Sequence, residues 1–259
     1  MKVRVRTEDG NQEFEDAVLV GADGASSSVK RFAVKSYQPD LKEPKLYASI
    51  QEWHRVLAPM ACYGAMFDQK VTDYYSWTIP KTVGKGREIP AGNYVLLGSA
   101  IPVRDHGRKT DVRERFEQLR EDMSRRGMDV SAPVKTSGAF ILRPRMFGSI
   151  YDGKDRVFLC GEAAGLISPS SSEGISFAMR SGEALAKSLG ACFLAQGESA
   201  GPALSEARKR YQAGLRPLKI SIAFKSLKSP IMYLPLPRKL VFMTRALSMK
   251  VLKESERWT

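Results

Sequence analysis

Val3, Val5 and Thr7 alternate with charged residues, Asp9-Gly10-Asn11 offers a turn, and Phe14 to Val20 runs back. This pattern predicts a hairpin. Its second arm ends in the apolar Ala17-Val18-Leu19-Val20, the mark of a buried strand, and Gly21-Ala22-Asp23-Gly24 follows at once. Ser26 to Phe32 predicts the start of a serine-capped helix. Strand formers then come in blocks, Leu46 to Ile50, Cys62 to Phe67, Tyr74 to Ile79 and Tyr94 to Ile101. Gly and Pro separate them, as in an antiparallel sheet. Asp111 to Arg126 reads as a charged helix with Val112, Phe116, Leu119 and Met123 on one face, suited to pack across the back of that sheet. Residues 134 to 143 predict a returning strand.

The periodicity changes again near residue 156. Arg156 to Cys160 is a short apolar strand that runs directly into Gly161-Glu162-Ala163-Ala164-Gly165, and Gly174 to Leu189 reads as a helix packing on a sheet. The remainder is helical in pattern, with Pro217, Pro230, Pro235 and Pro237 expected to break it into pieces. No internal repeat or low-complexity linker interrupts the 259 residues. The elements together predict a mixed α/β (α+β) fold.

Composition narrows the chemistry. Hydrophobic residues make up 43%, enough for a packed core. No apolar run is long enough to span a bilayer and the first residues lack a signal-peptide apolar region, so cytoplasmic residence is the expectation. Cys62, Cys160 and Cys192 are odd in number and widely spaced, which argues against a disulfide framework. With only His54 and His106 and no CxxC, there is little material for zinc or for a Ser-His-Asp hydrolase. Both histidines are expected to be loop or surface residues.

The net charge of +13 is uneven: from Ala207 to Lys253 there are twelve Lys or Arg and no Asp or Glu. Such a segment implies an anionic partner, either a membrane surface, a nucleic acid or a phosphorylated ligand. No nucleic-acid-binding module is present, so nucleic acid is set aside. Leu215 to Lys253 mixes Lys and Arg with Ile, Leu, Phe and Met, as does a segment lying on an anionic bilayer. A helical cap with a solvated cationic face is the alternative.

Two strand-to-loop junctions place a carboxylate beside glycine, Asp23-Gly24 and Gly161-Glu162. Glycine lets backbone N–H groups approach a ligand, and a carboxylate accepts hydrogen bonds from sugar hydroxyls. Asp-Gly after a strand is also an ordinary turn. After the second junction, Leu166-Ile167-Ser168-Pro169-Ser170-Ser171-Ser172-Glu173-Gly174-Ile175 feeds a helix whose N-terminus carries partial positive charge. That suits a ring on which negative charge collects. It equally describes a serine-rich cap of a packing helix.

Gly161 to Ile175, GEAAGLISPSSSEGI, resembles the second FAD fingerprint of the geranylgeranyl reductases and of p-hydroxybenzoate-hydroxylase-like flavoproteins, with Glu162 where Asp is usual. Gly21 to Lys30, GADGASSSVK, is similar to the central motif of the same superfamily, with Lys30 where Arg is usual. Tyr75-Ser76-Trp77-Thr78-Ile79-Pro80-Lys81 resembles the Tyr-x-Trp-x-Phe-Pro-Lys element of geranylgeranyl reductases. The three matches come in the family's order.

The resemblance implies FAD as cofactor, with Ala22, Asp23, Gly24, Gly161, Glu162, Ala163, Ala164, Pro169, Gly174 and Ile175 beside it. Glu162 would hold the ribityl chain, and Pro169, Gly174 and Ile175 would face the ring. Tyr75, Trp77, Pro80 and Lys81 would line a cavity for a small-molecule or lipid substrate. It also implies a layout: a partial FAD-binding domain at 1–35 and 146–200, an inserted antiparallel substrate domain at 36–145, and a basic helical region at 201–259. The family's opening Gly-x-Gly-x-x-Gly segment has no counterpart before Asp23. FAD is therefore expected to bind this chain weakly or not at all, with a separate chain as one source of that segment. The expected activity is reduction of C=C bonds in a prenyl lipid. The alternatives are an aromatic monooxygenase or halogenase, or a non-catalytic piece without cofactor. Catalytic residues, the electron donor and the oligomeric state are left open.

Overall fold

The computed structural model describes residues 2–8, 10–15, 18–42, 44–105, 107–144, 149–194 and 200–243. His106 and the basic positions from 244 to 253 lie outside them. The chain divides into two compact units, Met1–Lys45 with Leu142–Lys228 and Leu46–Ile141 with Ser229–Thr259. The insert thus starts ten residues later than the 36 expected, because Tyr37 and Leu41 pack against the core of the first unit. Nor is 201–228 a separate tail: Leu204, Ala207, Tyr211, Leu215, Leu218 and Ile222 are buried in that same core.

The first unit opens with strands β1 (Lys2–Thr7) and β2 (Gly10–Glu15). They pair antiparallel with Thr7 opposite Gly10, so Gly10 and Asn11 belong to β2 rather than to the turn expected of them. Strand β3 (Leu19–Gly21) pairs in parallel with β11 (Val157–Leu159). Leu19 packs on the core, but Val20 is exposed, so β3 is not buried on both faces as its apolar run predicted. Helix α1 (Ser28–Tyr37) follows β3 and lies against both strands. After β11 come a one-turn 3-10 helix (Gly161–Ala164) and α3 (Ile175–Leu194).

Helix α4 (Ala200–Tyr233) covers this core and then continues. Tyr211 donates its hydroxyl to the Leu159 carbonyl at 2.6 Å. The Arg208 guanidinium lies 4.0 Å over the Phe158 ring and donates to the carbonyls of Gly153, Asp155 and Val157 at 3.1, 2.9 and 2.8 Å. Pro217 and Pro230 do not break α4. Each removes one backbone donor, but buried Leu215, Leu218 and Ile222 tie the helix to the core on both sides of Pro217. The break falls at Leu234, and Pro235 opens α5 (Pro235–Met243), the position where proline fits a helix best.

The second unit holds a five-stranded sheet in the order β10-β4-β7-β6-β5, from β4 (Lys45–Val56), β5 (Gly64–Met66), β6 (Ser76–Val83), β7 (Gly92–Pro102) and β10 (Lys135–Arg143). A small hairpin of β8 (Arg104–Asp105) and β9 (Arg108–Lys109) leads to α2 (Val112–Arg125), capped by Asp111. One sheet face carries Val95, Leu97 and Ile101 against Phe116, Leu119 and Met123 of α2, as the helix pattern predicts. The other carries an aromatic cluster of Tyr47, Tyr74, Trp77 and Tyr233 around Ala100.

Candidate flavin-facing site

Parallel strands β3 and β11 end side by side. Leu159 pairs with Gly21, and the Cys160 N–H donates to the Gly21 carbonyl at 3.0 Å. Loops that leave the carboxyl ends of adjacent parallel strands are where α/β folds bind ligands. Here those loops are Ala22-Asp23-Gly24 and Gly161-Glu162-Ala163-Ala164, the two carboxylate–glycine junctions of the sequence.

Their carboxylates do different things. Asp23 turns onto its own helix: one oxygen accepts from the Ser27 hydroxyl, and the other from the N–H groups of Ser28 at 2.7 Å and Val29 at 3.4 Å. Burial alone would raise its pKa, but these hydrogen bonds outweigh it and hold the carboxyl below the usual range. Asp23 therefore anchors the first turn of α1, which is the turn-and-cap reading of Asp-Gly. Ala22 is exposed beside it, and Gly24 adopts a left-handed φ of 74°.

Glu162 is the outward-turned side chain of a turn whose Ala163 and Ala164 are fully buried. Its Oε1 accepts from the Leu142 N–H at 2.6 Å, and its Oε2 has no hydrogen-bond partner among the described residues. Burial pushes the Glu162 carboxyl above its ordinary range, while the Leu142 N–H and the positive charge of Lys30 draw it part of the way back. Lys30 is itself buried in the first turn of α1. Gly161 makes this turn feasible: its φ is 58°, its N–H donates to Ser181 Oγ at 2.9 Å, and a Cβ there would lie 3.2 Å from Ala178 Cβ on α3. Between them, burial and the loss of one oxygen to Leu142 leave Glu162 one open acceptor on a half-buried carboxyl, suited to a hydroxyl donor.

The serine-rich loop closes on itself before α3. Ser168 N–H donates to the Glu173 carbonyl at 2.9 Å and the Ser171 hydroxyl to Ser168 Oγ at 2.8 Å, with Pro169 buried. The N-terminus of α3 is not bare, since Glu173 Oε1 accepts from the Ser176 N–H at 2.9 Å. Its carboxylate offsets the partial positive charge expected there. Beyond Gly174, Ile175 is 77% exposed, an apolar step at the mouth of the helix.

The second unit holds the other sequence-derived group. Tyr75 contacts Tyr74, Trp77 and Phe67, with ring centroids 5.1, 5.6 and 6.4 Å away. The Trp77 Nε1–H donates to Gln51 Oε1 at 3.2 Å, and its indole lies flat on Gly98, where any Cβ would collide with it. Side chains alternate along a strand, so Trp77 and Lys81 of β6 share a face while Pro80 turns to the opposite one, paired with Val95. Pro80 is therefore separated from the aromatic group it was read with. Its strand neighbour β5 reaches only to Thr78, so the missing N–H of Pro80 costs no ladder bond on that side. Burial raises the pKa of Tyr75, as do neighbouring Tyr63 and Tyr74.

Two features were not foreseen. His54 is not a surface residue but 1% exposed, on the α2 face of β4, with Nε2 3.1 Å from Glu52 Oε2. Arg120 of α2 reaches the same oxygen at 3.3 Å. The period-two placement of Glu52 and His54 on the same strand face as Leu46, Ala48, Ile50 and Val56 was the available signal. Arg208, which ties the turn before β11, had no sequence signal beyond belonging to a basic run.

This mixed α/β architecture, with its antiparallel sheet and helices, has counterparts among solved structures. It matches a geranylgeranyl bacteriochlorophyll reductase-like protein from Thermoplasma acidophilum with a TM-score of 0.69 and 13% identity, over 98% of this chain and 60% of that one. PqsL from Pseudomonas aeruginosa, a probable FAD-dependent monooxygenase, matches with a TM-score of 0.55 and 19% identity over 93% and 63%. HpxO from Klebsiella pneumoniae, solved with FAD and uric acid, matches at 0.51 and 17% over 90% and 56%. At these identities the likeness is one of fold.

In sequence, the chain is 32% identical over 249 residues to Protein CbrA of Escherichia coli O9:H4 (strain HS), which covers 96% of this chain and 59% of the relative. It is 34% identical over 234 residues to Protein CbrA of Shigella flexneri serotype 5b, over 90% and 55%. The chain thus spans a little over half of these relatives' length. No family model matches it.

Proposed function

We propose that this chain is the ring-side and substrate-side portion of an FAD-dependent oxidoreductase that reduces C=C bonds of a prenyl lipid. The observation that carries the flavin part is the pairing of the two carboxylate–glycine loops at the ends of β3 and β11, with Glu162 presenting an open acceptor. Glu162 would hold the hydroxylated chain of FAD, and Ala22, Gly24, Gly161, Ala163 and Ala164 would shape the backbone around it. Pro169, Gly174 and the exposed Ile175 would set the edge of the ring site. Asp23 acts one step back, fixing α1 and with it Lys30. When bound, FAD supplies the hydride. The chain's own contribution is to orient and to exclude water: Tyr75 and Trp77 give an apolar wall, and Lys81 a cation on the same strand face. Pro80, on the far face, is left out of that wall. The prenyl reading rests on the Tyr-x-Trp element and on the likeness to the Thermoplasma protein. A monooxygenase acting on an aromatic compound is the second reading, favoured by the likeness to PqsL and HpxO.

Titration of the whole chain with FAD, followed by flavin fluorescence, tests the first part. Weak saturable binding is expected, reduced about tenfold or more in Glu162→Ala. Equal binding by Glu162→Ala, or none by the wild type at any concentration reached, would remove the basis for the reading. With FAD and a reductant present, a prenyl substrate heavier by one H2 per turnover supports the reductase. With dioxygen also supplied, an aromatic substrate heavier by one oxygen, the second atom leaving as water, supports the monooxygenase.

A further inference from the structure

Helix α4 is apolar on two opposite faces. Leu204, Ala207, Tyr211, Leu215, Leu218 and Ile222 form the face that enters the core. At about 100° per residue, Ile220, Phe224, Leu227 and Ile231 fall on the other side. All four are exposed, Phe224 by 64% and Leu227 by 62%. They recur at the i, i+4, i+7, i+11 spacing of a continuous stripe about 16 Å long. In the first half of α4 the same outer face carries Glu206, Lys209 and Ala213, so the apolar stripe is confined to the second half. Helix α5 then presents Leu236 and Leu240, also exposed.

Cations border this stripe and anions do not. From Arg208 to Lys239 there are nine Lys or Arg and no Asp or Glu. Some of these cations are engaged, Arg208 with the Gly153, Asp155 and Val157 carbonyls, Arg210 with Glu206, and Lys219 with Asp152. Arg216 and Lys228, on either flank of the stripe, are exposed and form no ion pair among the described residues. Solvent-facing apolar residues between unpaired cations match the boundary of an anionic bilayer, where the side chains enter the acyl region and the cations meet headgroup phosphates. Among the described residues no helix is long and apolar enough to cross a membrane, so the contact is lateral. A second copy of the chain is the wrong occupant on charge grounds: it would bring a second +13 and the same cationic borders to the contact.

We infer that the outer face of α4, from Arg216 to Ile231, seats the protein on the surface of an anionic lipid bilayer, with Phe224 and Leu227 inserted. This surface stands apart from the flavin reading, so either can fail without the other.

The test is co-sedimentation of the whole chain with vesicles at physiological salt, comparing phosphatidylcholine alone with phosphatidylcholine containing about a quarter phosphatidylglycerol. Binding is expected to the anionic vesicles, to fall as salt rises, and to drop about tenfold or more in Phe224→Asp/Leu227→Asp. Because both positions are exposed, that variant should keep its circular dichroism and melting temperature. Should it misfold, Phe224→Trp serves instead: its fluorescence should shift to the blue on the anionic vesicles and be quenched by brominated acyl chains. The inference is overturned if the wild type ignores anionic vesicles, if the double variant binds within about twofold of it, or if the tryptophan stays in water. It is also overturned if light scattering finds a dimer that the double variant converts to monomer, which would make a second copy the occupant.

Discussion

Asp23 and Glu162 leave neighbouring strands and differ in what their environments do to the proton. Asp23 is held ionised by Ser27, Ser28 and Val29, whereas burial works against the charge on Glu162. A carboxyl whose pKa is raised on folding contributes stability that is full below its unfolded value, here 4.5, and is lost as pH rises through the folded value. Glu162→Gln removes that loss and keeps an oxygen for the Leu142 N–H. The variant is expected to melt higher than the wild type at pH 7 and to lose that advantage near pH 4. It should also bind FAD less well, since a neutral amide is a weaker acceptor for a sugar hydroxyl. Thermal melts at the two pH values, with FAD titrations alongside, check both halves. A Glu162 that is costly to the fold and useful to a ligand is the pattern expected of a binding residue.

At the scale of elements, most of the longer strands and α1, α2 and α3 were legible because each has a clean period and a chemical boundary, whereas the predicted arm Phe14 to Val20 is divided between β2 and β3 and the β8–β9 hairpin was not expected. Asp111 caps α2, Ser27 caps α1, and the apolar runs at 94–101 and 157–159 fall on β7 and β11. What the pattern missed follows from packing. Pro217 and Pro230 were read as stops, yet α4 runs through both, because burial of Leu215, Leu218 and Ile222 outweighs one missing donor. Pro80 was grouped with Trp77 by proximity in sequence, and the strand period then set it on the opposite face. Pro217→Ala restores an N–H toward the Ala213 carbonyl and relieves the ring. It is expected to stabilise the first unit, by up to about 3 kcal/mol, as read from denaturant unfolding.

The whole molecule is two units, each with its own core and its own pH-sensitive group. His54 in the second unit faces Glu52, Arg120 and Asp129, and burial, the largest influence, lowers its pKa. A histidine depressed in this way contributes stability that is full above 6.5 and lost as pH falls through the folded value. Glu162 in the first unit has the opposite sense, its contribution being regained as pH falls through the folded value toward 4.5. Asp23 does not enter this window, since its contribution is lost only as pH falls below the ordinary carboxylate range. Lowering pH from 7 to 5 is therefore expected to weaken the second unit relative to the first. Hydrogen exchange resolved by segment would show it as faster exchange in β4 and β7 with β3 and β11 spared. His54→Gln should flatten the response of β4 and β7. No sequence reading gave this division of pH sense. It depends on which strand face His54 occupies and on which oxygen of Glu162 is engaged, and both are settled only in three dimensions.

The pairing of β3 with β11 also has a consequence in time. Leu19 and Val157 lie opposite each other in that pair but 138 positions apart along the chain. A ribosome adding roughly 5–20 residues per second needs roughly 7–28 seconds to make the second after the first. Throughout that interval β3 has been made and its parallel partner has not, and by its end all of Leu46–Ile141 has been synthesised. The inserted sheet therefore completes its synthesis first. The strand that carries the Asp23 loop waits for it, an interval in which a chaperone would have its opportunity.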